Sequence, residues 1–296
     1  MKIRDILLKN NRGFTLEFFP PKNEEGREAF LSVVEELKAF GPLYLSMTYG
    51  AGGTTRERTL NALRWLAEDR QVPLMSHLTG IGATRESIQA IADELEVLGI
   101  DNILALRGDP PKNAPGLDLS RGEFPFARDL VTFLKERDRF SIGVAVYPEG
   151  HPESPNLEKD LEFTKSKIDA GADFGITQMF FENDHYYRFR DRAMKAGVLI
   201  PLIPGIMPIL DCRRIKDFAN VCSATIPNAI LDRIEPVSDL PEEVRKLGVE
   251  FAVKQVEDLL RHGVRFIHFY TMNRSDSISE ILAAVGTVTR QAVQAA

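Results

Sequence analysis

Short apolar or β-branched runs bounded by Gly or Pro alternate with longer segments of helical period along the whole chain, and this alternation limits the fold more than any other feature. Strands are predicted over 14–19, 43–47, 73–77, 102–106, 141–146, 174–178, 201–206 and 265–270. Helices are predicted between and after them, over 25–39, 56–68, 84–98, 124–137, 157–170, 184–196, 211–221 and 240–262, with a last one from 276. Gly171 follows the helix at 157–170 as a C′ glycine would. About eight strand–helix units with no Ser/Gly-rich linker predict an α/β chain folded as a single (β/α)8 TIM barrel over 1–296. A doubly wound parallel sheet fits the same alternation and is the structural alternative. The length of 296 residues suits one barrel or two domains, so the unbroken pattern decides for one.

Composition narrows the chemistry. The chain is 44% hydrophobic and 27% charged, which suits a globular chain with a sizeable core. A net charge of -6, with basic residues spread among acidic ones, disfavours nucleic acid as a partner and favours small-molecule chemistry. Cys212 and Cys222 have no Cys-x-x-Cys spacing, and the five histidines include no metal-ligand pair backed by carboxylates, so no metal is expected. The N-terminus lacks the apolar stretch of a signal peptide and no window approaches 18 apolar residues, which predicts a cytoplasmic protein without membrane contact. Dinucleotide-fingerprint, Walker A, Gly-x-Ser-x-Gly and His-Glu-x-x-His motifs are all missing. Gly50-Ala51-Gly52-Gly53 reads as a flexible strand-to-helix loop, and 107–122 is a long irregular loop of the kind that carries function.

Polar residues gather where the predicted strands end: Glu17, Thr48 with Tyr49, His77 with Thr79, Arg107 with Asp109, Tyr147 with Glu149 and His151, Gln178, and Tyr270 with Asn273 and Arg274. Any one of them is ordinary loop polarity. In a barrel, however, the C-terminal strand ends converge on one face, so these residues would line one pocket. Glu17 interrupts the apolar run Phe14-Thr15-Leu16-Glu17-Phe18-Phe19 just before Pro20-Pro21. On an edge strand it would face water; inside a core, desolvation would raise its pKa and let it act as a general acid. Asp160 and Lys167, two turns apart on a predicted helix, are either exposed charges or a ribose and phosphate pair.

Nine segments together carry a resemblance: L-E-F-F-P-P-K at 16–22, S-M-T-Y-G-A at 46–51, H-L-T at 77–79, L-A-L-R-G-D-P-P at 104–111, Y-P-E-G-H-P-E at 147–153, D-A-G-A-D at 169–173, I-T-Q-M-F-F at 176–181, I-P-G-I-M-P at 203–208 and H-F-Y-T-M-N-R at 268–274. Over essentially its full length the chain resembles bacterial methylenetetrahydrofolate reductases. The resemblance implies a (β/α)8 barrel with noncovalent FAD, no S-adenosylmethionine-binding regulatory domain, and a homo-oligomer. It implies a ping-pong reduction of 5,10-methylenetetrahydrofolate to 5-methyltetrahydrofolate by NADH or NADPH, in the setting of one-carbon metabolism and methionine biosynthesis.

Residue by residue, the resemblance makes Glu17 the general acid that opens the folate's imidazolidine ring, and Asp109 the charge beside the flavin. Thr48, His77, Arg107, Gly108, Asp109, Ala127, Tyr147, His151, Asp160 and Lys167 match FAD-holding positions. Glu17, Gln178, Tyr270 and Arg274 match folate-contacting ones. Phe126 stands where relatives have a Tyr near the flavin, and Cys212 where a relative has a stacking Phe. A flavin-free barrel lyase or aldolase using Glu17 and Lys167, and a noncatalytic folate-binding barrel, are the competing functions. Neither accounts for the matches at 107–109 and 147–151.

Overall fold

The computed structural model describes residues 1–49, 54–69, 71–109, 122–286 and 291–292. The Gly-rich loop at 50–53 and most of the long loop, 110–121, lie outside the described residues. Parallel strands β1 (Asn10–Phe18), β2 (Leu45–Met47), β3 (Leu74–Thr79), β4 (Asn102–Leu106), β5 (Ser141–Val146) and β6 (Phe174–Thr177) pair in sequence order. Two short strands, β7 (Leu202–Ile203) and β8 (Gly205–Ile206), and then β9 (Phe266–Tyr270) complete the circuit. β7 pairs with β6, β8 pairs with β9, and β9 pairs with β1, so the sheet closes on itself.

The predicted strand at 201–206 is therefore one barrel stave broken at Pro204. Proline has no N–H to give to a ladder, which interrupts the pairing. Its carbonyl still accepts from the His268 amide at 2.9 Å. Eight staves make a (β/α)8 barrel, not a doubly wound sheet.

Helices follow the staves as the alternation predicts: α2 (Arg27–Lys38), α3 (Thr54–Ala67), α4 (Arg85–Val97), α5 (Ala127–Lys135), α6 (Leu157–Asp169), α7 (Asn183–Lys195), α8 (Cys212–Cys222), α10 (Pro241–Arg261) and α11 (Ser275–Val285). Thr84 and Asn156 start α4 and α6 by accepting from the amides of Ser87 and Lys159. Two helices escape the sequence pattern, α1 (Ile3–Lys9) and α9 (Asn228–Ile234), because seven residues are too few to show a period. α1 nonetheless has a defined task. Its Ile3, Ile6 and Leu7 pack with the inward-facing Tyr44, Met75, Leu104, Phe174 and Phe266. The Ile3 amide donates to Asn102 Oδ1 at 2.7 Å, at the start of β4. α1 thus closes the N-terminal end of the barrel and leaves the other end for a site.

A larger apolar layer lies between staves and helices, with Leu16, Ile103, Val144 and Ile267 fully buried in it. Strands apolar on both faces are what a covered parallel barrel needs. A polar side chain on the inner face therefore stands out.

Candidate active site

The C-terminal strand ends surround a cavity of about 600 Å³. Glu17 lies in its wall, next to last in β1 and only 7% exposed. Strand residues two apart share a face, so Thr15 and Glu17 lie on the same face of β1. The register sets Thr15 beside His268 of β9 and Glu17 beside Ser46 of β2. His77, on β3, comes in from the far side of β2.

The result is a line of five groups. Thr15 Oγ1 lies 2.6 Å from His268 Nδ1, and His268 Nε2 lies 2.9 Å from Glu17 Oε2. The same oxygen is 3.3 Å from His77 Nε2, which is 2.7 Å from Ser46 Oγ. Glu17 Oε1 has no hydrogen-bond partner among the described residues.

This arrangement reverses the expectation of a raised pKa. Burial does push the Glu17 carboxyl upward, but the charges of His77 and His268 and their hydrogen bonds outweigh it and hold the group down to about 2. Glu17 is an anion at neutral pH, and its proton must come from a neighbour. With a folded pKa below the ordinary carboxylate value, its stabilising effect is complete above about pH 4.5 and fades as pH falls toward 2. The stability advantage of the native protein over Glu17→Gln should accordingly shrink between pH 5 and pH 3 in denaturant titrations; an advantage that grew on acidification would contradict the pairing.

A second polar group occupies another part of the wall. Arg107, just past β4, pairs through both terminal nitrogens with Glu153, the Nη2–Oε1 distance being 2.7 Å. Gly108 turns the chain at φ +89°, where a Cβ would come within 2.7 Å of Ile81 and 2.9 Å of Thr79, so only glycine fits this approach. Exposed Asp109 and Ala127, the first residue of α5, are in the wall too.

Asp160 is buried and accepts from the His151 amide and from Ser154 Oγ at 3.0 and 2.8 Å, which fixes the loop after β5. The rings of Tyr147 and His151 meet edge-on at 4.8 Å. Lys167 donates to the Ala145 carbonyl at 2.6 Å and makes no ion pair among the described residues. Burial pushes its ammonium down to about 8, partly offset by Asp160. An ammonium without a carboxylate partner, in a wall that also holds a guanidinium, suits an anionic ligand.

The wall also includes Gln178, and Tyr270, which stands opposite Glu17 in the β1–β9 register. Gln178 Oε1 accepts from the Met179 amide at 2.9 Å, leaving its amide nitrogen without a partner among the described residues. Tyr270 donates to the Thr177 carbonyl at 2.7 Å, and its ring stands edge-on to His268.

Four of the strand-end residues expected to line the pocket lie outside the wall: Thr48, Glu149, Asn273 and Arg274. Glu149 accepts from the Thr225 amide at 3.0 Å, and Asn273 accepts from the Phe19 amide and donates to the Phe19 carbonyl. The Thr48 amide donates to the Phe18 carbonyl and its own carbonyl accepts from Thr59 Oγ1, so its backbone continues the strand end. Arg274 turns to Asp276, with contacts of 3.1 and 2.6 Å at the start of α11. Phe126 is in the wall, whereas Cys212 is buried with Met179, Phe181 and Ile209.

Sequence reasoning did not single out Thr15, Ser46, His268 or Glu153. Thr15 carried a signal, being two residues from Glu17 on one strand; the partnership of His268 did not, because it depends on β1 meeting β9. Among the described residues no group of three or more His, Cys, Asp or Glu could hold a metal ion, and no helix is long and apolar enough to cross a membrane.

Fold and site together define a (β/α)8 barrel with a cavity at the C-terminal strand ends and a buried carboxylate in its wall. The family model for methylenetetrahydrofolate reductase matches residues 2–286. The chain belongs to that family. It is 36% identical over 279 residues to the 5,10-methylenetetrahydrofolate reductase of Pectobacterium carotovorum subsp. carotovorum, covering 94% of this chain and 92% of that protein. The Escherichia coli K12 reductase is likewise 36% identical, with 92% and 90% covered. A plant relative, methylenetetrahydrofolate reductase (NADH) 1 of Arabidopsis thaliana, is 34% identical, and the match spans 97% of this chain but 50% of that protein. Among solved structures, a Clostridium thermocellum protein described as binding two copies of 5-methyl-5,6,7,8-tetrahydrofolic acid superposes with a TM-score of 0.69. It covers 97% of this chain and 98% of its own, at 16% identity, and supports the fold.

Proposed function

We propose that this protein reduces 5,10-methylenetetrahydrofolate to 5-methyltetrahydrofolate, with FAD bound in the cavity and NADH or NADPH as reductant, the two substrates taking turns in a ping-pong cycle. The observation that carries this reading is a buried carboxylate between two imidazoles, in the wall of a cavity that also holds Gln178, Tyr270 and a Lys167 ammonium with no carboxylate partner among the described residues. Family membership and the donor chemistry agree: the unpaired Lys167 ammonium fits a diphosphate-bearing cofactor.

When bound, FAD would accept hydride from the nicotinamide and pass it to the folate. Lys167 and Arg107 would hold its phosphates, and Asp160, with His151 and Ser154 already tied to it, the sugar. Gly108, Ala127, Tyr147 and His77 would complete its seat, with Thr48 behind the wall. Gln178 would hydrogen-bond the pterin through its free amide nitrogen, with Tyr270 packed beside it and Arg274 further out.

Glu17 is the acid of the folate half-reaction. It delivers a proton to the ring nitrogen whose bond to the methylene carbon breaks, the electron pair staying on nitrogen. The positive charge left on the methylene iminium is favoured by Asp109 at the rim.

The test is direct. Purified protein should be yellow and should release FAD on denaturation; NADH or NADPH should bleach it without folate, and 5,10-methylenetetrahydrofolate should restore the colour. A colourless protein that cannot be reconstituted with FAD would overturn the reading. Asp109→Asn should shift the midpoint potential of the bound flavin and slow reoxidation by folate; an unchanged potential would remove Asp109 from the flavin's neighbourhood.

A further inference from the structure

The line of groups around Glu17 raises a question of proton supply: an ionised carboxylate cannot be an acid until something protonates it. Two imidazoles touch the same oxygen, and they are not equivalent. His268 is fully buried, and both its ring nitrogens are engaged within the wall, Nδ1 with Thr15 Oγ1 at 2.6 Å and Nε2 with Glu17 Oε2 at 2.9 Å. His77 is itself part of the cavity wall. Its Nε2 sits between Ser46 Oγ at 2.7 Å and Glu17 Oε2 at 3.3 Å, and its Nδ1 has no partner among the described residues. One ring is a fixed support; the other has one nitrogen on the carboxylate and one free.

We propose that His77 is the proton reservoir for Glu17, a positioning residue that takes a proton at Nδ1 from the cavity and hands one from Nε2 to Glu17 Oε2. Glu17, neutral only while it holds that proton, then gives it to the folate nitrogen and returns to the carboxylate. That nitrogen's bond to the methylene carbon breaks and keeps its electron pair on nitrogen. Charge is conserved, since the positive charge of the imidazolium ends on the methylene iminium. The inference rests on the reading of Glu17 as the acid for folate, and extends it by saying where the proton waits.

The other titratable groups around this line are Tyr44 just before β2, Tyr270 on β9, Tyr147 after β5, and Asp109 at the rim. Burial pushes all three tyrosines above their ordinary value, so they stay neutral near neutral pH. Replacing His77 takes away the one imidazole of the pair that lies in the cavity wall.

The test uses the FAD-loaded enzyme, reduced anaerobically with NADH and mixed with 5,10-methylenetetrahydrofolate from about pH 6 to about pH 9. In His77→Gln the amide can still reach Glu17 but holds no proton. The alkaline limb of the reoxidation rate should move down by about one pH unit or more relative to the native enzyme, so that a loss of about tenfold at pH 8 is recovered on acidification. A loss by the same factor at every pH, or an unmoved limb, overturns the proposal and leaves His77 a packing residue. A second measurement needs no change at His77. In Glu17→Gln, the imidazole of His77 followed by NMR should titrate at least about one unit lower than in the native holoenzyme; an unchanged titration overturns the proposal. If the native holoenzyme is not reoxidised by the folate at all, the acid reading fails first. Reoxidation with an unmoved limb sinks the reservoir alone.

Discussion

Replacing Glu17 with Gln is expected to leave reduction of the flavin by NADH or NADPH within about threefold of native, and to slow the folate half-reaction by about 10²- to 10⁴-fold, the usual effect of losing a positioned acid. The asymmetry follows from the chemistry. Hydride transfer from a nicotinamide to a flavin needs no proton from this carboxylate, whereas opening the imidazolidine ring needs one at nitrogen. Glutamine keeps the shape of the side chain and can still accept from His268 through its amide oxygen, so the cluster should stay assembled. Stopped-flow absorbance of the flavin in each half-reaction separates the two effects. Equal losses in both would assign Glu17 a structural role.

The second large effect concerns stability. Gly248 lies inside α10, where glycine costs about 1 kcal/mol relative to alanine, so Gly248→Ala would ordinarily stabilise a helix. Here a Cβ would sit 1.8 Å from the Ile209 carbonyl oxygen and 2.7 Å from its carbon. Both are backbone atoms, so no rotamer change relieves the clash. We expect Gly248→Ala to cost about 2–4 kcal/mol net, the overpacking penalty exceeding the propensity gain, and to lower the melting temperature by roughly 5–10 °C. Because Ile209 follows Met207 and Pro208, and Met207 is in the cavity wall, the displacement should also raise KM for the folate. A variant more stable than native would show that α10 and the loop before α8 do not meet in this way.

Local chemistry explains which parts of the structure were legible. The staves and most helices follow from hydrophobic period and from Gly and Pro punctuation, which are properties of consecutive residues. The same logic reached the cavity, because a barrel sends every C-terminal strand end to one face; Arg107, Tyr147, Gln178 and Tyr270 all lie in its wall. Failures occurred where the cause is not local. α1 and α9 are too short for a period and exist because they cover apolar surface supplied by distant residues. The seventh stave is continuous in pattern, yet Pro204 divides it in space. Arg274 follows a strand as expected but finds Asp276 two residues on, and so turns from the cavity.

Glu17 shows the division most clearly. By itself the sequence determined that a carboxylate occupies an otherwise apolar strand, at the strand's end, in a chain whose alternation brings such ends together. That much follows from residue order, since burial of apolar faces and the period of two specify the strand and the side on which position 17 lies. Only the tertiary structure decided the charge state of that carboxylate. Desolvation alone would raise its pKa, and the reversal comes from His268, 251 residues away along the chain, and His77, which barrel closure and the β1–β2–β3 pairing bring to one oxygen. Electrostatic energy depends on distance in space, and no pattern along the chain encodes a contact of about 3 Å between strands that meet only when the barrel closes.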